Sequence, residues 1–188
     1  MISRVFPNRF FLLPLIICAA LVAISIGEVG TITIFDQTNS GLPPNRLSQS
    51  LLDFSPLGQS FTSTLTSLNF VNLLTENGGL TENGSLTWNG SATVEVNIRL
   101  GSISGAILGT SQPTVIPFSL APSVSSFRFS KPVPLIVGEL YVIEPFVVSG
   151  HTLVVSTSTN SYVGGNQILR GGAQTNNDLW FQEGISVP

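Results

Sequence analysis

The stretch Ala92–Leu100, Ala-Thr-Val-Glu-Val-Asn-Ile-Arg-Leu, restricts the fold more than any other part of the chain. Val94, Val96, Ile98 and Leu100 alternate there with Glu95, Asn97 and Arg99. Successive side chains of a strand point to opposite faces, and no helical register collects those four apolar residues. The segment is therefore a half-buried strand, and the rest of the chain has to cover its apolar face. Charged residues make up only 9% of the 188, with Lys131 the single lysine, while Ser, Thr, Asn and Gly abound. Helical surfaces carry more Lys and Glu than this, whereas Thr, Val, Ile and Phe between Gly and Pro turns suit strands. An all-β fold is expected.

Residues 1–27 read as an export signal, because Arg4 and Arg9 precede an apolar run from Phe10 to Ile26 that closes on small residues. The alternative is a short uncleaved N-terminal membrane anchor, but a run of about 17 apolar residues broken by Pro14 falls short of the roughly 20 needed to span. A secreted or extracellular β-sandwich domain over residues 28–185 is expected, with a tail at 186–188 and no stable membrane insertion once the signal is cleaved. Cys18 lies inside the signal, so the mature domain has no thiol for a disulfide, and Ile17 before it speaks against acylation. Without Arg4 and Arg9, five basic residues face ten acidic ones, a formal charge of −5. That balance disfavours nucleic acid and anionic membranes as partners.

In chain order, Thr31–Phe35 reads as a first strand, Asp36–Pro44 as a loop and Leu47–Phe54 as an edge strand or loop ended by Pro56. Gly58–Thr62 opens a run, Leu65 to Leu74, apolar enough to be covered on both sides. Leu74–Ser91 then carries three near-repeats, with Asn77-Gly78, Asn83-Gly84 and Asn89-Gly90 as turn dipeptides and Trp88 near the return of a hairpin or extended loop. Glu76, Asn77, Glu82 and Asn83 offer cation-binding oxygens without calcium-loop spacing, and Asn83 and Asn89 are formal glycosylation acceptors. Beyond the central strand, short strands are expected at Ala106–Gly109, around Phe118–Phe129 with breaks at Pro113, Pro117 and Pro122, and at Val133–Leu135. Leu140–Glu144, Thr152–Ser156, Gln167–Leu169 and Leu179–Gln182 follow. About ten short strands predict a β-sandwich closed around one core.

The pattern resembles a family of exported bacterial jelly-roll domains, similar in shape to carbohydrate-binding modules and often ending in a sorting tail that begins around Val-Pro-Glu-Pro. The resemblance rests on Gly58-Gln-Ser-Phe-Thr62, Val96-Asn-Ile-Arg-Leu100, Ser104-Gly-Ala-Ile-Leu-Gly-Thr110, Phe127-Arg-Phe129, Leu135–Glu144, Tyr162-Val-Gly-Gly165 and Asp178-Leu-Trp-Phe-Gln182. It implies a single jelly-roll-like antiparallel sandwich. This chain departs from the tailed members at Ser186-Val187-Pro188, which implies release rather than anchoring. It also implies a structural calcium between the first and last strands, where Asp36, Gln37 and Asp178 fall; Asp36 and Asp178 as turn caps beside Asn39 and Asn177 are the other reading.

Catalytic constellations are thin. His151 is the only histidine and no Gly-x-Ser-x-Gly elbow accompanies it. Glu139, Glu144 and Glu95 are the carboxylates that a glycoside hydrolase would draw on, and their spacing fixes no pair. No catalytic residue and no required cofactor are assigned. Sugar recognition stacks a pyranose on an aromatic ring and bonds its edges to amides and hydroxyls. Trp88, Tyr162 and Trp180 are the candidate rings, Trp180 turned outward if Leu179 and Phe181 point inward, and Asn97 and Arg99 line the polar face of the central strand. A non-catalytic module for extracellular polysaccharide is the leading expectation. A structural surface or matrix protein working through protein contacts is the second, and a hydrolase the third.

Overall fold

The computed structural model describes residues 30–41, 47–80, 86–88, 90–150, 153–159 and 162–187. The expected export signal, His151, and the acceptors Asn83 and Asn89 lie outside them, as does the side chain of Trp88.

No described residue is helical. The strands are β1 (Ile32–Asn39), β2 (Ser48–Ser50), β3 (Gly58–Thr62), β4 (Ser67–Asn77), β5 (Gly79–Leu80), β6 (Leu86–Trp88), β7 (Ala92–Leu100), β8 (Ile107–Thr110), β9 (Thr114–Ile116), β10 (Ser119–Pro134), β11 (Leu140–Gly150), β12 (Val154–Thr159), β13 (Gln167–Leu169), β14 (Gly172–Gln174), β15 (Asn177–Leu179) and β16 (Phe181–Val187). They form an antiparallel β-sandwich. One sheet runs β1-β16-β4-β12-β15, with β10 along the other edge of β4 and β2 against β12. The second runs β14-β13-β3-β11-β7-β8, with β9 also against β7, and β5 pairs with β6 as a separate ribbon.

The alternation of Ala92–Leu100 is realised as β7. Val94, Val96 and Ile98 are fully buried and join the central cluster, in which Phe61, Tyr141 and Ile143 of the same sheet meet Leu68, Val71, Leu73, Phe127 and Phe181 of the other. The Phe61 and Tyr141 rings lie 5.7 Å apart. Each such side chain contributes about 2 kcal/mol by leaving water, so the cluster is what holds the two sheets face to face.

Several strands run further than local patterns suggest. Pro122 and Pro132 do not break the chain: both fall inside β10, in the two register shifts between Ser119 and Ser123 and between Arg128 and Val133. A bulge is where a strand tolerates a residue without an N–H. Pro145 likewise sits within β11, opposite Val96 of β7, beyond the residues that pair with β3. Asp36–Asn39, expected as loop, continues β1 through its own irregularity between Phe35 and Thr38. Asn77, expected in a turn, ends β4 fully buried, its Nδ2 donating to the carbonyls of Gly90 and Ile116.

Candidate functional site

The first and last strands meet over a buried polar cluster. The bulge of β1 turns Asp36 and Gln37 toward neighbouring strands. Asp36 accepts hydrogen bonds from the Ser63 hydroxyl (2.9 Å), the Thr64 amide (3.0 Å), the Thr64 hydroxyl and Gln37 Nε2 (3.2 Å). Gln37 donates its amide to Glu183 Oε1 (3.1 Å) and accepts from the Tyr162 hydroxyl (3.2 Å). On the far side of Tyr162, Asp178 accepts from Gln59 Nε2 (3.0 Å) and the Tyr162 amide (3.3 Å), while Gln59 Oε1 accepts from the Leu179 amide (2.8 Å).

Burial and mutual charge sort the acids. Burial first, then the charge and hydrogen bond of Asp36, push Glu183 up to about 9, so it is a neutral acid at pH 7. Glu183 is fully buried and no donor among the described residues reaches its Oε2 to hold a negative charge there. Burial raises Asp36 too, but bonds from the Thr64 and Ser63 hydroxyls and the Thr64 and Leu65 amides outweigh it and hold the carboxyl below its ordinary value. Burial raises Asp178 against the bonds from Gln59 and Tyr162. The Tyr162 phenol, pushed to about 12 by burial and by the three surrounding carboxyls, stays protonated.

Asp36 and Gln37 on β1 and Asp178 on β15 are joined through Tyr162 in one hydrogen-bonded network, but their arrangement does not fit a calcium ion. Calcium takes six to eight oxygens converging on one point. Here the Asp36 oxygens, the Gln37 amide oxygen and both Asp178 oxygens already accept from protein donors, and Asp36 and Asp178 serve opposite sides of Tyr162. No group of three or more His, Cys, Asp or Glu with metal-binding geometry occurs among the described residues. Chelation by excess EDTA is expected to leave the melting temperature unchanged, and calcium to add nothing; a calcium-dependent rise read by scanning calorimetry would restore the metal. Glu183 was legible as a member of this cluster only from its position two residues after core-facing Phe181, since alternation puts both on one face.

Asn97 and Arg99 lie on the outer face of the second sheet. Arg99 Nε meets Glu144 Oε2 at 2.6 Å, its Nη1 donates to the Gly105 carbonyl at 2.9 Å, and Asn97 bridges Glu144 (2.9 Å) to the Thr110 hydroxyl (2.7 Å). These side chains fix the turn between β7 and β8. Glu144 is committed to that network, while Glu139 precedes β11 five residues away, about 17 Å at the rise of a strand, too far to act with it as an acid pair. The turn delivers Ile103 over β3, where Gly58 makes room: a Cβ there would lie 3.1 Å from Ile103 Cδ1 and 2.6 Å from the Ile143 carbonyl. Beside it opens a groove of 260 Å³ lined by Ser60, Ile103, Leu140, Val142, Asn166 and Ile168, with exposed Ala173 at its rim. Val142 sits between Ser60 and Arg99 in one cross-strand row, which ties the groove to the network.

Trp180 and Tyr162 are placed otherwise than a sugar platform needs. Leu179 and Phe181 enter the core cluster and Trp180 does not, as alternation requires, yet Trp180 is only 7% exposed. Its ring is covered instead of open, and its indole N–H donates to the Ser40 carbonyl at 2.9 Å. Tyr162 packs edge-on against Phe181 at 5.1 Å with its hydroxyl bonded to Gln37, so it too is structural. The backbone of Trp88 pairs with Gly79. Comparison with known protein families and with curated proteins finds no significant match.

Proposed function

We propose that this chain is a secreted, non-catalytic module that binds extracellular polysaccharide in the groove on the outer face of the second sheet. The observation that carries the reading is the groove itself. Val142 and Ile168 give it an apolar floor, Ser60 and Asn166 a hydroxyl and an amide at its edge, and the turn at residues 101–103 one side, held from behind by the hydrogen bonds of Arg99 to Glu144 and Gly105. An apolar floor with a few convergent polar groups is the usual make-up of a small-ligand site, and the two faces of a pyranose match it.

Ala173→Trp tests the reading, because the residue is exposed and its enlargement fills the groove without entering the core. Affinity electrophoresis against a panel of neutral polysaccharides is expected to show retardation of the parent protein and at least tenfold weaker binding by the variant. Absence of retardation in every gel, or equal retardation of both proteins, would overturn it. Self-association at micromolar concentration without any glycan binding would favour a matrix protein acting through protein contacts.

A further inference from the structure

The opposite side of the sandwich carries a second surface with different chemistry. Phe35 of β1 stands opposite Gly184 of β16, Gly184 opposite Phe70 of β4, and Phe70 opposite Arg128 of β10, so one row crosses four strands. All three side chains lie on the outer face, since Val71 and Leu73 flanking that face on β4, and Phe127 and Phe129 beside Arg128, point into the core. The Phe35 and Phe70 rings meet edge to face at 5.7 Å, and the Arg128 guanidinium lies 5.4 Å from the Phe70 centroid. Phe70 is roofed between them and only 1% exposed, whereas Phe35 keeps 47% of its surface in solvent. Gly184 fits the middle of the row because a Cβ there would collide with the Ile34 carbonyl.

The next row holds a hydrogen-bonding pair. Asn72 Nδ2 donates to Gln182 Oε1 at 3.3 Å, and both side chains are half-buried, with their remaining donors and acceptors on the same outer face. Arg128 is exposed and makes no ion pair among the described residues, in contrast to Arg99, and Lys131 is exposed three residues further along the same strand. In a protein of net negative charge, this is a cation fixed in position by the ring beneath it, with no counter-charge among the described residues.

We propose that this face binds a uronic-acid polysaccharide, with Arg128 taking a carboxylate, Phe35 stacking against a sugar ring, and Asn72 and Gln182 bonding hydroxyls. The guanidinium fork suits a planar carboxylate held by two parallel bonds, which an ammonium does not reproduce. Phe35 and Arg128 stand three strand spacings apart, about 14 Å, so one ligand chain lying across the strands reaches both. The site takes its ligand class from the polysaccharide reading above but shares no residue with the groove.

Polygalacturonate is the probe, with dextran as the neutral control, in affinity electrophoresis and calorimetry at 50 mM and 500 mM salt. Binding of polygalacturonate is expected at low salt, at least tenfold weaker at high salt, and at least tenfold weaker in Arg128→Ala and in Phe35→Ala, with Ala173→Trp unchanged. Arg128→Lys keeps the charge and is expected to recover less than half of the lost affinity change. Circular dichroism and melting curves establish that the variants are folded, and an unfolded Phe35→Ala leaves the two Arg128 variants to decide. No binding of polygalacturonate, or equal binding by parent and Arg128→Ala, would overturn the proposal. Dextran bound through the groove with polygalacturonate ignored would overturn this site alone; the reverse pattern would overturn the groove alone.

Discussion

Glu183→Gln raises stability at neutral pH and flattens its dependence on pH. Unfolded, Glu183 ionises near 4.5; folded, it holds its proton to about 9. The folded state binds more protons across that window, so the parent protein loses stability as pH rises from 4.5 toward 9, at about 1.4 kcal/mol per unit from this group. At pH 7 the loss is on the order of 3 kcal/mol. Glutamine keeps an oxygen for the Gln37 amide and offers an N–H toward Asp36, without a proton to take up. A melting temperature higher by about 5–10 °C at pH 7 is expected, with a much smaller difference near pH 4.5. Asp36 acts with the opposite sign: its lowered value makes its contribution present above 3.8 and lost only in stronger acid. Parallel melting-temperature profiles for parent and variant from pH 5 to 9 would refute the account of Glu183 as a buried neutral acid.

Gln59→Leu is the second large effect, in the other direction. Gln59 is fully buried on β3 of the second sheet and reaches across to β15 of the first, where it holds the Asp178 carboxylate and the Leu179 amide. Leucine fills similar volume, leaves the Leu179 amide unpaired and leaves Asp178 with the Tyr162 amide alone. One orphaned amide and one weakened buried carboxylate cost on the order of 4 kcal/mol together, or about 10 °C in melting temperature. Gln59→Glu separates the hydrogen bonds from volume, because it restores the size but sets a second acid against Asp178; it is expected to be worse at pH 8 than at pH 4. Chemical denaturation that finds Gln59→Leu within about 1 kcal/mol of the parent would show that the cluster does not join the sheets.

What the sequence revealed depended on whether the signal was local. β7 was readable because four apolar residues alternate without interruption, and β13 because Gly and turn residues bound it on both sides. β10 was not, since Pro122 and Pro132 look like breaks until their partner strand shows that each occupies a bulge. Asp36–Asn39 looks like loop because its residues are polar, and the strand they form is polar because it carries the buried cluster. Alternation assigned Trp180 to the face away from the core, but the partner of its indole N–H, Ser40, lies 140 residues away. The same distance problem hid the cluster's completion: the resemblance to jelly-roll modules grouped Asp36, Gln37 and Asp178, and alternation with Phe181 could have added Glu183, while Gln59 and Tyr162 join them only through pairings that the linear pattern does not encode. Phe35 and Arg128 were likewise invisible as a pair, lying on strands that meet only by way of β16 and β4.

That arrangement of β16 bears on how the molecule comes into being. The strand nearest the C-terminal end of the sandwich is not at an edge; it fills the slot between β1 and β4, with Ile32 opposite Val187 and Leu73 opposite Phe181. A nascent chain that has emerged as far as β15 therefore has its earliest strand with nothing to pair against and an open seam through one sheet. Its longest-range contacts close last, which slows folding and postpones cooperativity until β16 has emerged. Until that strand appears, a polypeptide with this wiring stays open and threadable, the state that the proposed export would require of it.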